Sequence, residues 1–235
     1  PAVGPVRTEC VRPIGERQTL VGQFRTALAD ARLRGLVIAF FFASVAFAGI
    51  QVMFIPFVAD AAAYRYDASD AALLLTYIGI LGAFNQGLLV GRLSSRFGSD
   101  RVAVGGAAML LVALAAIPFT PQLGGFLPPV DGPVWFTREL LALLLILGLL
   151  SLGNGLLNPS LATLVSQSAS ADAQGNAFGV TQGAGSRGRT VGPPVAAALY
   201  TLAYWSPFVA GAVLVLPVIA LLTAIVQRNR RESGA

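Results

Sequence analysis

Apolar residues run through this chain in six long blocks, separated by short polar stretches. Gly35 to Ala59 is uncharged and lies between Arg34 and Asp60. Ala71 to Val90 follows, then Val102 to Phe119, Leu140 to Leu164, Gly175 to Ala203, and Pro207 to Val226. A helix crosses a bilayer core with roughly 20 mostly apolar residues. The pattern therefore predicts six transmembrane helices, at about 35–59, 71–90, 102–119, 140–164, 175–203 and 207–226. The expected fold class is all-α, a polytopic membrane bundle. Residues 1–34 are polar and Arg-rich, with Pro1, Pro5 and Pro13, and read as a cytoplasmic linker or central loop. Residues 227–235 read as a cytoplasmic tail. The chain opens on Pro1 with no charged-then-apolar signal segment, which leads us to expect a longer parent protein.

Composition turns the pattern into a choice of solvent. The chain is 55% hydrophobic and 11% charged, with mean hydropathy +0.72. Soluble domains carry about a quarter charged residues, so lipid is the expected surrounding. All 16 basic residues are arginine, and histidine is absent. Imidazole bases and histidine metal ligands are thereby excluded. The lone cysteine, Cys10, can form neither an intrachain disulfide nor a thiolate metal cluster. No cofactor and no metal are expected. There is no lysine to complete a phosphate-binding loop, which argues against an ATP-driven pump. The arginines form no single basic face near aromatics, so nucleic acid is not an expected partner.

The arginines also orient the bundle. With residues 1–34 placed inside, the inner segments hold 12 arginines: Arg7, Arg12, Arg17, Arg25, Arg32, Arg34, Arg92, Arg96, Arg101, Arg228, Arg230 and Arg231. The outer side holds Arg65 and Arg138. This is a positive-inside asymmetry with both termini cytoplasmic.

The spans carry two kinds of internal signal. Small residues recur every four positions as Gly175, Gly179, Gly183, then as Gly188, Gly192, Ala196, and in span two as Gly79, Ala83, Gly87, Gly91. Such rows read as helix-packing tracks, and Gly87, Gly175, Gly179, Gly183, Gly192 and Pro193 are assigned to packing. In water each glycine would weaken a helix by roughly 1 kcal/mol. The second signal is polar. Gln51, Asn85, Gln86, Asn154, Asn158 and Gln182 lie inside spans one, two, four and five. Each by itself is a source of interhelical hydrogen bonding; together they mark a candidate polar path. Arg187 and Arg189 complete the set, since a charge at membrane depth is a functional candidate. They are about 200° apart on a helix, so only one faces a given cavity. The bland role for the other is snorkelling or pairing with carbonyls. Gln86-Gly87 before Gly91-Arg92 is echoed by Gln182-Gly183 before Gly188-Arg189, as in a three-plus-three inverted repeat.

Three segments carry a family resemblance. Gly91-Arg92-Leu93-Ser94-Ser95-Arg96-Phe97-Gly98 is similar to the cytoplasmic G-x-L-x-D-R-x-G-R motif of the major facilitator superfamily. Gly91, Leu93, Arg96 and Gly98 match, while Ser95 replaces the acid and Ser99 the second basic residue. Asn158-Pro159 onward resembles the end of helix ten, and Gln174-Gly175 to Gly192-Pro193 resembles helix eleven of tetracycline- and multidrug-type exporters. The resemblance covers about residues 20–230 and implies the carboxyl-terminal six-helix half of a 12-helix fold.

It further implies a secondary active transporter of a small solute, working by alternating access in a bacterial cytoplasmic membrane. Efflux is the implied direction. No Asp or Glu lies clearly within a span, so a proton-coupling carboxylate is expected in an amino-terminal half. That half would be part of the same polypeptide or a second copy. The alternative is a non-transporting six-helix partner or sensor subunit. Enzymatic chemistry is not expected, because no nucleophile–base constellation occurs.

Overall fold

The structure, a computed structural model, describes residues 29–60, 63–128, 136–170 and 173–233. The described residues contain helices and no strand. The first long helix, α1 (Ala31–Ala59), begins earlier than its apolar block because Asp30 caps it. The Asp30 carboxylate accepts the Arg32 amide at 2.6 Å and the Leu33 amide at 3.2 Å. Residues 31–34, expected in the linker, therefore belong to the helix; residues 1–28 of that linker lie outside the described residues. Asp67 and Asp70 form a capping box that starts α2 (Ala68–Phe84). A π-helical turn, Asn85–Leu89, joins α2 to α3 (Val90–Phe97) without a break.

Gly98, at φ +86°, reverses the chain into α4 (Ser99–Ala116). That backbone conformation is open to glycine and strained for other residues. A 3₁₀ turn, Ile117–Phe119, leads on to α5 (Thr120–Gly124). Thr137 caps α6 (Arg138–Ser168), accepting the Leu140 amide at 3.2 Å. Two further helices, α7 (Gln174–Tyr200) and α8 (Ser206–Ser233), complete the bundle. Helix α6 runs through Pro159, and α7 through Pro193 and Pro194. Neither helix is interrupted at its prolines, and the π turn lies in span two, at Asn85–Leu89.

Five helical stretches are long and apolar enough to cross a membrane: Ala31–Ala59, Ala68–Phe97, Ser99–Gly124, Arg138–Ser168 and Ser206–Asn229. The sixth long helix, α7, has 27 residues and is not in that set. Its glycines, two glutamines and two arginines lower its hydropathy.

Helix α1 packs most extensively on α7 and next on α8; α6 packs on α4 and along the α2–α3 rod; α4 lies against α8. The core between them is aliphatic, centred on Leu36, Leu110, Leu114, Leu147, Leu157 and Leu161, all fully buried. The α4–α6 crossing is closed by glycine from both sides. A Cβ at Gly106 would stand 2.8 Å from the Leu157 amide nitrogen, and one at Gly153 2.7 Å from that of Leu110. In lipid, such close backbone approach gives dispersion contact that apolar burial alone does not provide.

Candidate functional site

The α1–α7 seam is built by the second of the two glycine rows. A Cβ on Gly188 would lie 2.8 Å from the Phe41 carbonyl oxygen, and one on Gly192 only 2.6 Å from that of Val45. Across the seam, a Cβ on Gly49 would meet Ala196 at 2.9 Å. The contacts climb both helices together, so α1 and α7 run parallel. Gly185, one turn below Gly188, leaves room for the Phe40 ring and Ser44.

The first row behaves differently. Among the described residues nothing lies within 4 Å of a Cβ built on Gly175 or Gly179, and Gly183 is only half-buried. The span-two ladder is equally open: Gly79, Gly87 and Gly91 meet no described residue within 4 Å. Gly87, Gly175 and Gly179, assigned to packing, thus meet no partner among the described residues of this chain. Spacing of four places residues on one face and leaves open which face is covered. Gly192 lies in the buried row, and Pro193 beside it is half-buried.

The seam sorts the polar candidates. Arg189 lies four residues beyond Gly185 and seven beyond Gln182, so all three share a side of α7. On α1, Phe40 and Ser44 face Gly185, and Gln51 continues their stripe at seven residues beyond Ser44. Gln51, Gln182 and Arg189 thus lie along one side of the seam, each exposed to space that the described residues do not fill. Arg189 is level with Ser44, near the middle of α1, with Gln51 about 10 Å further along. Arg187 belongs to the other side, with Val191 and Val195 at four and eight residues. Val195 lines the crevice between α1, α7 and α8 together with Leu199, Ala210 and Leu214.

The remaining candidates are dispersed on the α2–α6 seam. Gln86 is exposed, whereas its neighbour Asn85 is 2% exposed inside the π turn. Asn85 faces inward against Gly155, whose Cβ position would be 3.3 Å from that of Asn85. The Asn85 Nδ2 has no hydrogen-bond partner among the described residues, and neither does the fully buried Ser160 Oγ. A buried unmet donor of this kind is costly, and π turns recur at functional sites. Asn154 and Asn158 bond to each other: Asn158 Nδ2 donates to Asn154 Oδ1 at 2.7 Å.

Sequence reading missed what joins α2 to α6. The Tyr77 hydroxyl donates to the Leu144 carbonyl at 3.2 Å, and the Ser151 hydroxyl to the Ile78 carbonyl at 3.0 Å. The available signal was a tyrosine and a serine within otherwise apolar blocks.

The loop motif is a helix end. Arg96 is exposed and sits over the Phe97 ring at 5.4 Å. Gly98 makes the turn, Leu93 is half-buried, and Gly91 faces open space. The Ser95 hydroxyl donates to the Arg92 carbonyl at 2.9 Å, which is the use made of the position where the motif has its acid.

The profile of the Major Facilitator Superfamily matches residues 4–189, which is most of the chain. No curated protein gives a significant match.

Proposed function

As a member of the Major Facilitator Superfamily, this chain is a membrane transporter, and we propose that it is a secondary active one, moving a small solute outward by alternating access. The observation that carries this reading is the file of Gln51, Gln182 and Arg189 along one side of the parallel α1–α7 seam. Arg189 has no hydrogen-bond or ionic partner among the described residues. A guanidinium at mid-depth calls for a water-filled cavity, a ligand or a counter-charge. A water-filled cavity or a ligand there supports a pathway on the Arg189 side.

The bundle is read as a carboxyl-terminal half with three-plus-three pseudosymmetry. Exchanging α1 with α6, the α2–α3 rod with α7, and α4 with α8 carries the α1–α7 seam onto the α6–α2 seam. The same exchange carries α1–α8 onto α6–α4 and leaves the α4–α8 contact in place. Helices α2 and α7 are partners in this exchange, and both present an uncovered ladder of small residues. The paired ladders suit close docking of an amino-terminal six-helix half. Proton coupling then rests on a carboxylate of that half. Outward transport rests on the exporter-like segments from Asn158 to Pro193. The arginine asymmetry supports an inner-membrane orientation with both ends cytoplasmic.

Proteoliposomes of the full-length protein loaded with a pH-sensitive dye test the reading across a panel of small solutes. A transported solute should move protons in the opposite direction. Solute flux that persists after every ion gradient is collapsed would contradict coupled transport, and no flux with any solute would favour a non-transporting subunit.

A further inference from the structure

The α2–α6 seam opens, at the end carrying the α1–α2 loop, into a cavity of about 410 Å³. Its walls are Tyr66, Asp70, Tyr77, Phe136, Leu140 and Leu144. Asp70 and Tyr77 are seven residues apart on one stripe of α2; Leu140 and Leu144 form a facing stripe on α6. The Tyr77 hydroxyl is spent on the Leu144 carbonyl, with room supplied by Gly148, so the ring lines the space as an apolar face. Asp70 is exposed, and among the described residues its Oδ2 accepts only a long bond, 3.3 Å, from the Asp67 amide.

Carboxylates outnumber arginines around the mouth, with Asp67, Asp70 and Glu139 against Arg65 and Arg138. Asp67 lies one turn before Asp70, and Glu139 one residue before Leu140. Burial, followed by the Asp70 and Glu139 charges, pushes the Tyr66 hydroxyl above its ordinary pKa. Nearby, Arg138 turns its guanidinium to the Leu127 carbonyl at 3.5 Å. Three aromatic rings and one carboxylate around an aliphatic floor are the chemistry of ammonium recognition. The volume is that of a small-ligand pocket.

We propose that this cavity binds a small organic cation, an amine or quaternary ammonium with apolar substituents, its charge at Asp70 and its body against Tyr66, Tyr77 and Phe136. The site is separate from the Gln51–Gln182–Arg189 file and does not depend on which solute is transported. An anion is disfavoured by the carboxylate. A bare metal ion is disfavoured by the single-carboxylate, mostly carbon lining.

The test compares choline with dimethylbutanol, its uncharged carbon isostere, by calorimetry on the full chain in maltoside micelles, with no ion gradient present. Choline should bind about tenfold more tightly than the alcohol. Asp70→Asn should remove that preference, and Tyr66→Leu should weaken choline about as much. Tyr66→Phe keeps the ring and should stay within about twofold. Asp100→Asn, a carboxylate beside Gly98, should also leave binding unchanged, as should elution volume for every variant. Equal affinity for the two probes, or a choline preference that survives Asp70→Asn in a normally eluting protein, would overturn the proposal.

Discussion

The α1–α7 and α2–α6 seams join their helices by opposite means. At α1–α7 the backbones nearly touch, because Gly188, Gly192 and Gly49 remove the side chains between them. At α2–α6 the helices are held by hydroxyl-to-carbonyl bonds from Tyr77 and Ser151, and the seam includes a π turn and a cavity. Close glycine contact leaves no room for rearrangement short of separation. A seam of a few hydrogen bonds, each worth about 1 kcal/mol net, yields far more readily. If the bundle rocks, α1 and α7 should move as one body and the α2–α3 rod should adjust.

The largest effect that distinguishes the seams is steric. Gly192→Leu should abolish folded yield, because even a Cβ would press on the Val45 carbonyl at 2.6 Å. Gly192→Ala should lose about 1–3 kcal/mol by thermal unfolding in detergent. The charge comparison comes next. Arg189→Gln should remove most solute flux in proteoliposomes with normal yield, while Arg187→Gln should retain flux; if both lose only yield, the pair is structural.

A smaller effect is expected at the hydrogen-bonded seam, where Tyr77→Phe should lower stability by about 1 kcal/mol. Smallest of all is Gly179→Ala, where the new methyl meets nothing within 4 Å. Its stability should stay level or rise by up to about 1 kcal/mol from helix propensity. A large loss there, measured on the isolated chain, would mean that the first glycine row is covered after all.

Much of the architecture was legible as apolar run length, because a bilayer demands it. Helix starts were less so. Asp30 and Thr137 begin α1 and α6 ahead of their apolar blocks, since a cap acts on backbone amides whatever the following hydropathy. The opposition of Arg187 and Arg189 followed from helical periodicity alone. The buried glycine row did not, because two rows of equal spacing differ only in what packs against them. Asn85 shows the same limit: its sequence neighbours give no sign of the π turn that carries it inward. The pocket around Asp70 was illegible because Phe136 and Tyr66 meet across 70 residues of chain.

The most direct test of the pathway assignment needs no substrate. In a Cys10→Ser background, single cysteines replacing Gln51, Gln182 and Val191 are exposed to a water-soluble, membrane-impermeant maleimide in the assembled full-length protein. Positions 51 and 182 should react, whereas position 191, on the Arg187 side, should stay unmodified. Reaction at 191 with none at 51 or 182 would place the water-filled path on the opposite side of the seam and contradict the role given to Arg189.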